Sequence, residues 1–285
     1  MKSVINLYKP VGLSPLQAVD KFRLKHREYS KVKMGYAGRL DPMAEGVLLV
    51  LVGEENKKIR KYLGYDKEYR AEILIGLKSD SCDVLGMVSA HTISTQLAPA
   101  ICDNSSRPPS QDSQIAEARP PSLKDGVSVE VDEKALKKKL KMLRGRYEQK
   151  IPAYSSYRVK GHPMFYYALK GEKIEDVKKE VNIQGIKINS IYSIGSGKLL
   201  KYVLGKIDKV DGEFRQKLVK EKWRGVLDGS DERFVVVDVT LNVSSGTYIR
   251  AIADDFGSGF GGGLLLSLKR TRVGDFVVKK SERLR

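Results

Sequence analysis

The sequence predicts a globular α+β protein, and three features of its 285 residues together indicate this. Helix-like and strand-like stretches alternate without the regular strand–helix–strand period of a doubly wound parallel sheet. Short apolar runs and alternating patterns typical of strands occur near both ends of the chain. Finally, 41% of the residues are hydrophobic, which is enough for a substantial core. The length fits one large domain or two smaller ones.

The first part of the chain is predicted to hold one helix and two strands. Residues 14–17 read SPLQ, the form of a capping box on Ser14, and Pro15 suits the first helical position. Residues 47–52 form a continuous apolar run, as in a strand buried on both faces, whereas residues 69–75 alternate, as in a half-buried strand. The inward stripe of the helix is expected to consist of Leu16, Val19 and Phe22.

The second part is predicted to hold two helices and two strands. Asp132 can cap a helix with leucines at helical spacing. Residues 234–243 alternate clearly, as in a strand, and residues 249–257 have an apolar stripe typical of a helix. Residues 264–268 then have the pattern of a last buried strand, followed by the basic residues 269–272.

Residues 93–126 are expected to form a mobile insertion. This stretch holds five of the ten prolines and many serines, but almost no periodic apolar residues. Such a sequence buries too little apolar surface to offset the entropy of ordering it. We therefore expect a surface excursion and not a linker between domains.

The charge of the chain indicates a polyanionic partner. Lys and Arg number 52 and Asp and Glu 35, which gives a formal net charge of +17. Composition alone is equally compatible with nucleic-acid binding and with a well-solvated surface. However, residues 133–173 hold twelve basic and three acidic residues, with aromatic residues placed among the cations. This mixture favours RNA, because cations meet phosphates and aromatic rings stack on unpaired bases.

Several kinds of protein and site are disfavoured. No apolar stretch approaches the ~20 residues of a membrane-spanning helix, and no secretory signal is recognisable. Cys82 and Cys102, the only cysteines, favour a reducing cytoplasm and offer no metal-ligand spacing. Asp80 and Asp83 stand in a polar turn and are interpreted as turn residues. The G-x-G-x-x-G pattern of residues 257–262 follows a helix, which argues against a dinucleotide site.

Residues 35–46, GYAGRLDPMAEG, place one carboxylate between two glycine-containing turns. Taken alone, Asp41 before Pro42 has the pattern of an ordinary turn residue. Pro42 nevertheless biases Asp41 towards an extended conformation, which would present the carboxylate rigidly beside the following core strand. A turn residue and a functional carboxylate both remain open on these residues alone.

A series of ordered blocks resembles the TruB family of RNA pseudouridine synthases. The string GYAGRLDPMAEGVLLV resembles the catalytic motif of that family. YKPVGLSPLQAVDKFR and YDKEYRAEILIGLKSDSCDVLG resemble the motifs on either side of it, and RGRYEQKIPAYSSYRVKG resembles the start of the thumb loop. SSGTYIRAIADDFG and LKRTRVGDF resemble the two closing motifs. The resemblance covers about residues 4–92 and 127–278.

The resemblance implies a pseudouridine synthase fold, in which helices flank a central, mixed and mostly antiparallel sheet. It implies one catalytic domain over residues 1–285 with a thumb loop over residues 145–171, and an isomerase without cofactor or metal. Such an enzyme detaches uracil from ribose, turns the base and rejoins it through carbon 5. Asp41 matches the catalytic aspartate, Tyr69 the tyrosine that stacks on the target base, and Arg250 the arginine paired with the aspartate. Whether Asp41 acts as nucleophile or base stays open.

Further residues are expected to serve substrate binding. Leu268 matches an apolar wall of the pocket, and the pair Lys9 and Pro10 matches the pair that supports the active-site loop. The thumb loop supplies the expected phosphate contacts. Tyr36 stands where the family usually has His, and its ring can stack but cannot act as an imidazole. The two expected phosphate contacts are Arg158 and Lys160.

The implied substrate is tRNA, with uridine 55 in the T-arm stem-loop as the target, and the target base must be flipped out of its stack. We expect a cytoplasmic monomer without membrane association. We also expect a short form without the extra RNA-binding domain of many members, because the chain stops soon after Phe276. Two alternatives remain: a non-catalytic RNA-binding or tRNA-folding protein on the same scaffold, and a guide-RNA-dependent synthase.

Overall fold

A computed structural model describes residues 2–90 and 132–284 of the chain, so the predicted insertion at residues 93–126 lies outside the described residues. The strands in these ranges are β1 (Val4–Lys9), β2 (Met34–Ala37), β3 (Glu45–Val52), β4 (Lys67–Ile75), β5 (Leu77–Ser79), β6 (Val88–Ala90), β7 (Gly145–Lys150), β8 (Arg158–Val159), β9 (His162–Pro163), β10 (Lys178–Gly195), β11 (Arg233–Val243), β12 (Gly263–Val273), β13 (Phe276–Val277) and β14 (Glu282–Arg283). The α-helices are α1 (Pro15–Lys25), α2 (Ile59–Leu63), α3 (Glu133–Met142), α4 (Met164–Lys170), α5 (Ser196–Ile207), α6 (Gln216–Leu227) and α7 (Ile249–Gly257).

One large sheet organises the described part of the chain. Its strands run in the order β14-β1-β3-β12-β4-β11-β10-β7, with β2 added on β3 and β13 on β12. The pairs β1–β14 and β3–β12 are parallel, and the other pairs are antiparallel. The prediction of an α+β fold with a mixed, mostly antiparallel sheet is therefore confirmed.

Strand β3 lies between two apolar layers, as its continuous apolar run predicts. Leu48 and Val50 pack in one cluster with Val19 and Phe22 of α1. Alternate residues of the strand pack on the other side, in a cluster with Tyr62 of α2. Because side chains alternate along a strand, every position from residue 46 to 52 is buried.

The capping box that predicts α1 is present, but its predicted stripe is wrong at one residue. Ser14 Oγ accepts a hydrogen bond from the backbone of Gln17, and the Gln17 side chain accepts one from the backbone of Ser14. Leu16, however, is 58% exposed. The buried positions have the spacing i, i+3, i+4, i+7, which Leu16 does not share. They are Pro15, Ala18, Val19 and Phe22.

The prediction for residues 269–272 also needs correction, because they do not follow the strand but continue it. Strand β12 runs to Val273, and β13 and β14 come after it. Alternation along β12 places Arg270 on an inward-facing position, where it is 1% exposed. Its guanidinium is tolerated there because backbone carbonyl oxygens accept its hydrogen bonds.

A helical hairpin that the sequence analysis did not predict joins β10 to β11. Helices α5 and α6 bury their apolar residues in the main core, where Trp223 is fully buried. The loop between them, residues 208–215, reaches the turn between β1 and α1: the Asp211 N–H donates to the Gly12 carbonyl at 3.0 Å. The hairpin thus packs on the main core and also reaches the loop that joins β1 to α1.

Glycine at residue 257 allows α7 to approach β12 closely. A Cβ atom there would overlap the backbone of Gly263, so we expect Gly257→Ala to lower the free energy of unfolding by roughly 1–3 kcal/mol. Gly205→Ala is the matched control, because Gly205 is exposed in α5 with no atom within 4 Å of the added Cβ. It should stabilise the protein by roughly 0.5–1 kcal/mol. Urea unfolding measures both, and a neutral Gly257→Ala would contradict the close approach.

Candidate active site

The loop that carries Asp41 lies between β2 and β3 and is anchored from two sides. On one side, the Gly12 N–H donates to the Pro42 carbonyl at 2.8 Å. On the other, Arg270 donates from Nη1 to the Arg39 carbonyl at 3.0 Å and from Nη2 to the Gly38 carbonyl at 3.2 Å. These contacts fix the backbone just before and just after the carboxylate. The Asp41 side chain itself is 38% exposed, so it can meet a ligand.

Arg250 is the second residue of α7 and is almost completely buried. Its Nε donates to Asp41 Oδ2 at 2.9 Å, its Nη1 to the Ser81 carbonyl at 2.9 Å and its Nη2 to the Tyr154 carbonyl at 3.0 Å. Burial would lower the pKa of Arg250, but the carboxylates of Asp41 and Asp83 raise it above its usual value. The guanidinium is therefore charged and directed at Asp41.

Tyr69, Leu268 and Arg270 enter the site from neighbouring strands. In the antiparallel pairing of β4 with β12, Tyr69 stands opposite Arg270 and Ala71 opposite Leu268. Directly opposed residues point to the same face of a sheet, so the tyrosine ring and the leucine side chain share one surface. Both are more than 90% buried, with Tyr69 at 7% exposure.

These residues line one cavity of about 470 Å³, which is within the range of small-molecule sites. The walls come from the Asp41 loop, β4, residues 155–158, the start of α7 and β12. The predicted residues that the cavity brings together are Asp41, Tyr69, Arg158, Arg250 and Leu268.

The remaining predicted residues lie elsewhere in the described structure and do not line this cavity. Tyr36 is half-buried on β2, beside the apolar cluster under α1. Lys160 is exposed at the tip of the β8–β9 hairpin, with Lys160 at φ 47° and Gly161 at φ 84°. Lys9 and Pro10 lie behind the Asp41 loop, at the end of β1.

Lys9 ties the loop after β1 in place. It is fully buried, and its Nζ donates to the Pro10 carbonyl at 2.9 Å and to the Leu13 carbonyl at 2.7 Å. Burial lowers the pKa of Lys9 to about 7, although the charge of Asp41 opposes this change. Since Gly12 in the same loop holds Pro42, Lys9 supports the Asp41 loop from behind without reaching the cavity.

Asp83 is a buried residue of the site that the sequence analysis interpreted only as a turn residue. It accepts hydrogen bonds from Ser81 Oγ at 2.7 Å and from the Leu85 N–H at 2.9 Å, as a turn residue would. Its Oδ2 is also 3.7 Å from Arg250 Nε. Burial raises the pKa of Asp83 to about 6, and Arg250 opposes the rise. Its second partner, Arg250, is 167 positions away in the sequence, so no local pattern could have indicated this pairing.

Arg270 was predicted only as part of a basic run. The residues Leu266, Leu268 and Arg270 are all buried, two positions apart. Continuing the strand alternation past Leu268 would have indicated an inward arginine.

The described residues offer neither a metal site nor a helix that could cross a membrane. Across residues 2–90 and 132–284, no group of three or more His, Cys, Asp or Glu side chains could hold a metal ion. In the same part of the chain, each helix is too short or too polar to cross a membrane.

Comparison with known proteins places the chain in a family. The family model described as "TruB family pseudouridylate synthase (N terminal domain)" matches residues 25–109 and 110–200. The chain belongs to the TruB family. The prediction made from the ordered sequence blocks is confirmed, and the predicted enzyme class is the class of this family.

Curated TruB relatives align with nearly the whole chain, and each is named tRNA pseudouridine synthase B. The protein from Chloroherpeton thalassium is 26% identical over 277 residues, which cover 96% of this chain and 84% of the relative. The protein from Thermobifida fusca is 28% identical over an alignment that covers 99% of this chain and 72% of the relative. The protein from Psychrobacter cryohalolentis is 25% identical over an alignment that covers 99% of this chain and 58% of the relative. The chain thus spans a little over half to about five-sixths of the length of these relatives.

Solved structures share the fold. A Cbf5-Nop10-Gar1 complex contains a chain with a TM-score of 0.54 and 18% identity, matched over 99% of this chain and 52% of that one. An H/ACA RNP bound to a substrate RNA containing 2'-deoxyuridine gives a TM-score of 0.51 at 17% identity, over 99% and 50%. At these identities the likeness is one of fold, and it confirms the fold predicted from the TruB resemblance.

Replacing Lys9 by methionine should remove a pH-dependent part of the stability. The pKa of Lys9 is about 7 in the folded protein and 10.5 for an ordinary lysine. Between these two pKa values, Lys9 is protonated in the unfolded state and largely unprotonated in the folded state. The free energy of unfolding of the wild type should therefore rise with pH relative to that of Lys9→Met, by up to about 1.4 kcal/mol per pH unit. Urea unfolding at several values between about pH 7 and 9 measures the difference, and a pH-independent difference would contradict the lowered pKa.

Proposed function

We propose that the chain converts uridine to pseudouridine in tRNA, with uridine 55 of the T arm as its target. The observation that carries the proposal is the meeting of Asp41, Arg250 and Tyr69 at one cavity, from three segments far apart in sequence. The names of the curated relatives support tRNA as the substrate. All of these residues come from one chain, so a monomer suffices to build the site, and we propose that the protein acts as a monomer in the cytoplasm.

In the proposed reaction the Asp41 carboxylate acts on the ribose of the target. The Arg250 Nε–H donates to Asp41 Oδ2 and so positions the carboxylate at the cavity. A carboxylate oxygen can attack the anomeric carbon, or it can take a proton from the neighbouring carbon. In both routes the bond from the anomeric carbon to nitrogen breaks and uracil takes the electron pair. When the turned base bonds to the anomeric carbon through carbon 5, the ester bond to Asp41 breaks in the first route, and Asp41 returns the proton to the neighbouring carbon in the second.

The Tyr69 ring is proposed to stack on the base, and its hydroxyl to assist removal of the carbon 5 proton. Its place on β4, opposite Arg270, holds the ring against the cavity wall with little freedom. Leu268 beside it supplies an apolar surface, which suits a flat base removed from water. The proton that leaves carbon 5 balances the one that the base gains at the freed nitrogen.

The thumb loop, residues 145–171, is proposed to contact the RNA within a single catalytic domain. Arg158 is exposed at the cavity, and Lys160 is exposed at the hairpin tip further out. Exposed cations in this order can follow a phosphate backbone from the active site outward. Their contacts, with stacking in the cavity, would offset the cost of flipping the target base.

Asp41→Asn should abolish pseudouridine formation while RNA binding survives. The amide keeps the shape of the side chain but cannot act as nucleophile or base, so we expect a loss of roughly 1,000-fold or more. Mass spectrometry of unmodified tRNA transcript incubated without any guide RNA measures the product, and filter binding measures affinity. Asp20→Asn, an exposed change on α1, is the matched control and should retain activity.

The same assay decides between the alternatives. Wild-type turnover on bare transcript supports a guide-independent enzyme. Binding without product would favour a non-catalytic RNA-binding protein. Near-wild-type turnover by Asp41→Asn would show that Asp41 is not the catalytic carboxylate.

Arg158→Gln and Lys160→Gln should each weaken RNA binding through the salt-dependent part of the affinity. Each lost phosphate contact should reduce the slope of log affinity against log salt by roughly 0.7–0.9. Lys57→Gln is the control, because Lys57 follows the far end of β3 from the Asp41 loop and is exposed. Equal slopes for all three variants and wild type would exclude the thumb loop as the phosphate-contacting element.

A further inference from the structure

Arg250 depends on two backbone carbonyls for its orientation towards Asp41. One belongs to Ser81, in the turn after β5, and the other to Tyr154, which lies between β7 and β8 in the proposed thumb loop. Neither segment pairs with the other in the sheet of the described residues. If either carbonyl moved, a guanidinium donor would lose its acceptor inside a buried site. A contact that joins the two segments would therefore help to keep both carbonyls in place around Arg250.

Arg215, from the loop between α5 and α6, makes such a contact. Its Nη1 donates to Asp80 Oδ2 at 2.9 Å, next to Ser81 in sequence. The same guanidinium lies over the ring of Tyr154, with 4.6 Å between Cζ and the ring centroid. One planar cation therefore touches both segments whose carbonyls hold Arg250.

Asp80 fixes the turn as well as pairing with Arg215. Its Oδ1 accepts from the Met87 N–H at 2.8 Å, which closes the turn that contains Ser81 and Asp83. The position of the Asp80 side chain therefore helps to set the position of the Ser81 carbonyl, because both belong to one short, hydrogen-bonded turn. On the other side, the Tyr154 ring and carbonyl belong to the same residue.

The backbone at Arg215 has an unfavourable conformation for a side chain of this kind. Its φ of 59° and ψ of 27° lie in the left-handed region, which favours glycine. An arginine here is held by its side-chain partners, and both of the segments it touches belong to the site. This strain is a second, independent reason to ask what the side chain does.

We propose that Arg215 is a positioning residue, which clamps the Ser81 turn and the Tyr154 segment together and so keeps Arg250 directed at Asp41. The proposal rests on the proposed function for its kinetic readout. It gives the α5–α6 hairpin a role in the site, although no atom of the hairpin takes part in the chemistry. The clamp requires a planar cation, because only a guanidinium can pair with a carboxylate and stack on a ring at once.

Arg215→Gly is the decisive variant. Glycine is the preferred residue for this backbone conformation, so the melting temperature should stay equal to that of wild type or rise. The single-turnover rate at saturating tRNA should fall by roughly 10- to 100-fold, because a small misplacement of a catalytic pair has effects of this size. The dissociation constant and its salt slope should not change.

Three outcomes would overturn the proposal. An unchanged rate would show that the clamp is unnecessary. A weaker affinity with a smaller salt slope and an unchanged rate would show that Arg215 contacts a phosphate instead. A melting temperature that falls together with the rate would indicate a role in folding only.

Further variants separate the clamp from general effects of charge. Arg215→Lys keeps a cation near Asp80 but loses the planar group over Tyr154, so its rate should lie between those of wild type and Arg215→Gly. Asp80→Asn should lower the rate partly, and combining it with Arg215→Gly should lower the rate no further than Arg215→Gly alone. Lys220→Ala is the matched control on α6, where Lys220 pairs with Asp208 of the same hairpin, and its rate should equal that of wild type.

An NMR readout distinguishes failure of this proposal from failure of the proposed function. The Nε–Hε signal of Arg250, assigned with Arg250→Lys in arginine-labelled protein, reports its bond to Asp41 without any RNA. This signal should shift or broaden in Arg215→Gly and stay unchanged in Lys220→Ala. An unchanged signal in Arg215→Gly would refute the clamp, and a changed signal would support it. Both conclusions would hold even if the wild type made no pseudouridine.

Discussion

The ion pair between Asp41 and Arg250 is the constraint on which the arrangement of the site depends. The two residues are 209 positions apart, and the arginine is almost wholly buried. A buried guanidinium is tolerated only when its N–H donors are satisfied, so acceptors are needed around all sides of the group. Asp41, the Ser81 turn and the Tyr154 segment supply these acceptors and are therefore brought to one point. The cavity is the space that remains beside that point.

A second arginine explains why the carboxylate is held so closely. Arg270 enters from β12 and donates to three backbone carbonyls, two of them in the loop just before Asp41. Arginine suits this task better than lysine, because its planar group has five donors in fixed directions. Arg250 thus holds the side chain of Asp41, and Arg270 holds the backbone that presents it. The strand pairing of β4 with β12 then places Tyr69 on the same surface.

The parts that could be predicted from sequence are those set by local patterns. The run at residues 47–52 and the stripe of α7 both report burial directly, and the blocks around Asp41 matched a family. The prediction that Leu16 is buried was wrong, because an apolar stripe on a short helix can be drawn through more than one set of positions. The interpretation of Asp83 as a turn residue was incomplete, because its pairing with Arg250 depends on tertiary structure. Helices α5 and α6 were missed, although Leu199, Val203 and Ile207 have helical spacing.

The charge distribution resolves an apparent conflict in a site for RNA. An active carboxylate would repel the phosphates that flank a target nucleotide, and a second carboxylate, Asp83, lies close behind it. Arg250 Nε lies 2.9 Å from Asp41 Oδ2 and 3.7 Å from Asp83 Oδ2, so its single positive charge offsets one of the two negative charges. Arg158 lines the same cavity as Asp41 and adds a positive charge there, whereas Lys160 is exposed further out, at the tip of the β8–β9 hairpin. Under the proposed function, these cations can therefore attract a polyanion while Asp41 offers an oxygen to the ribose of the target nucleotide.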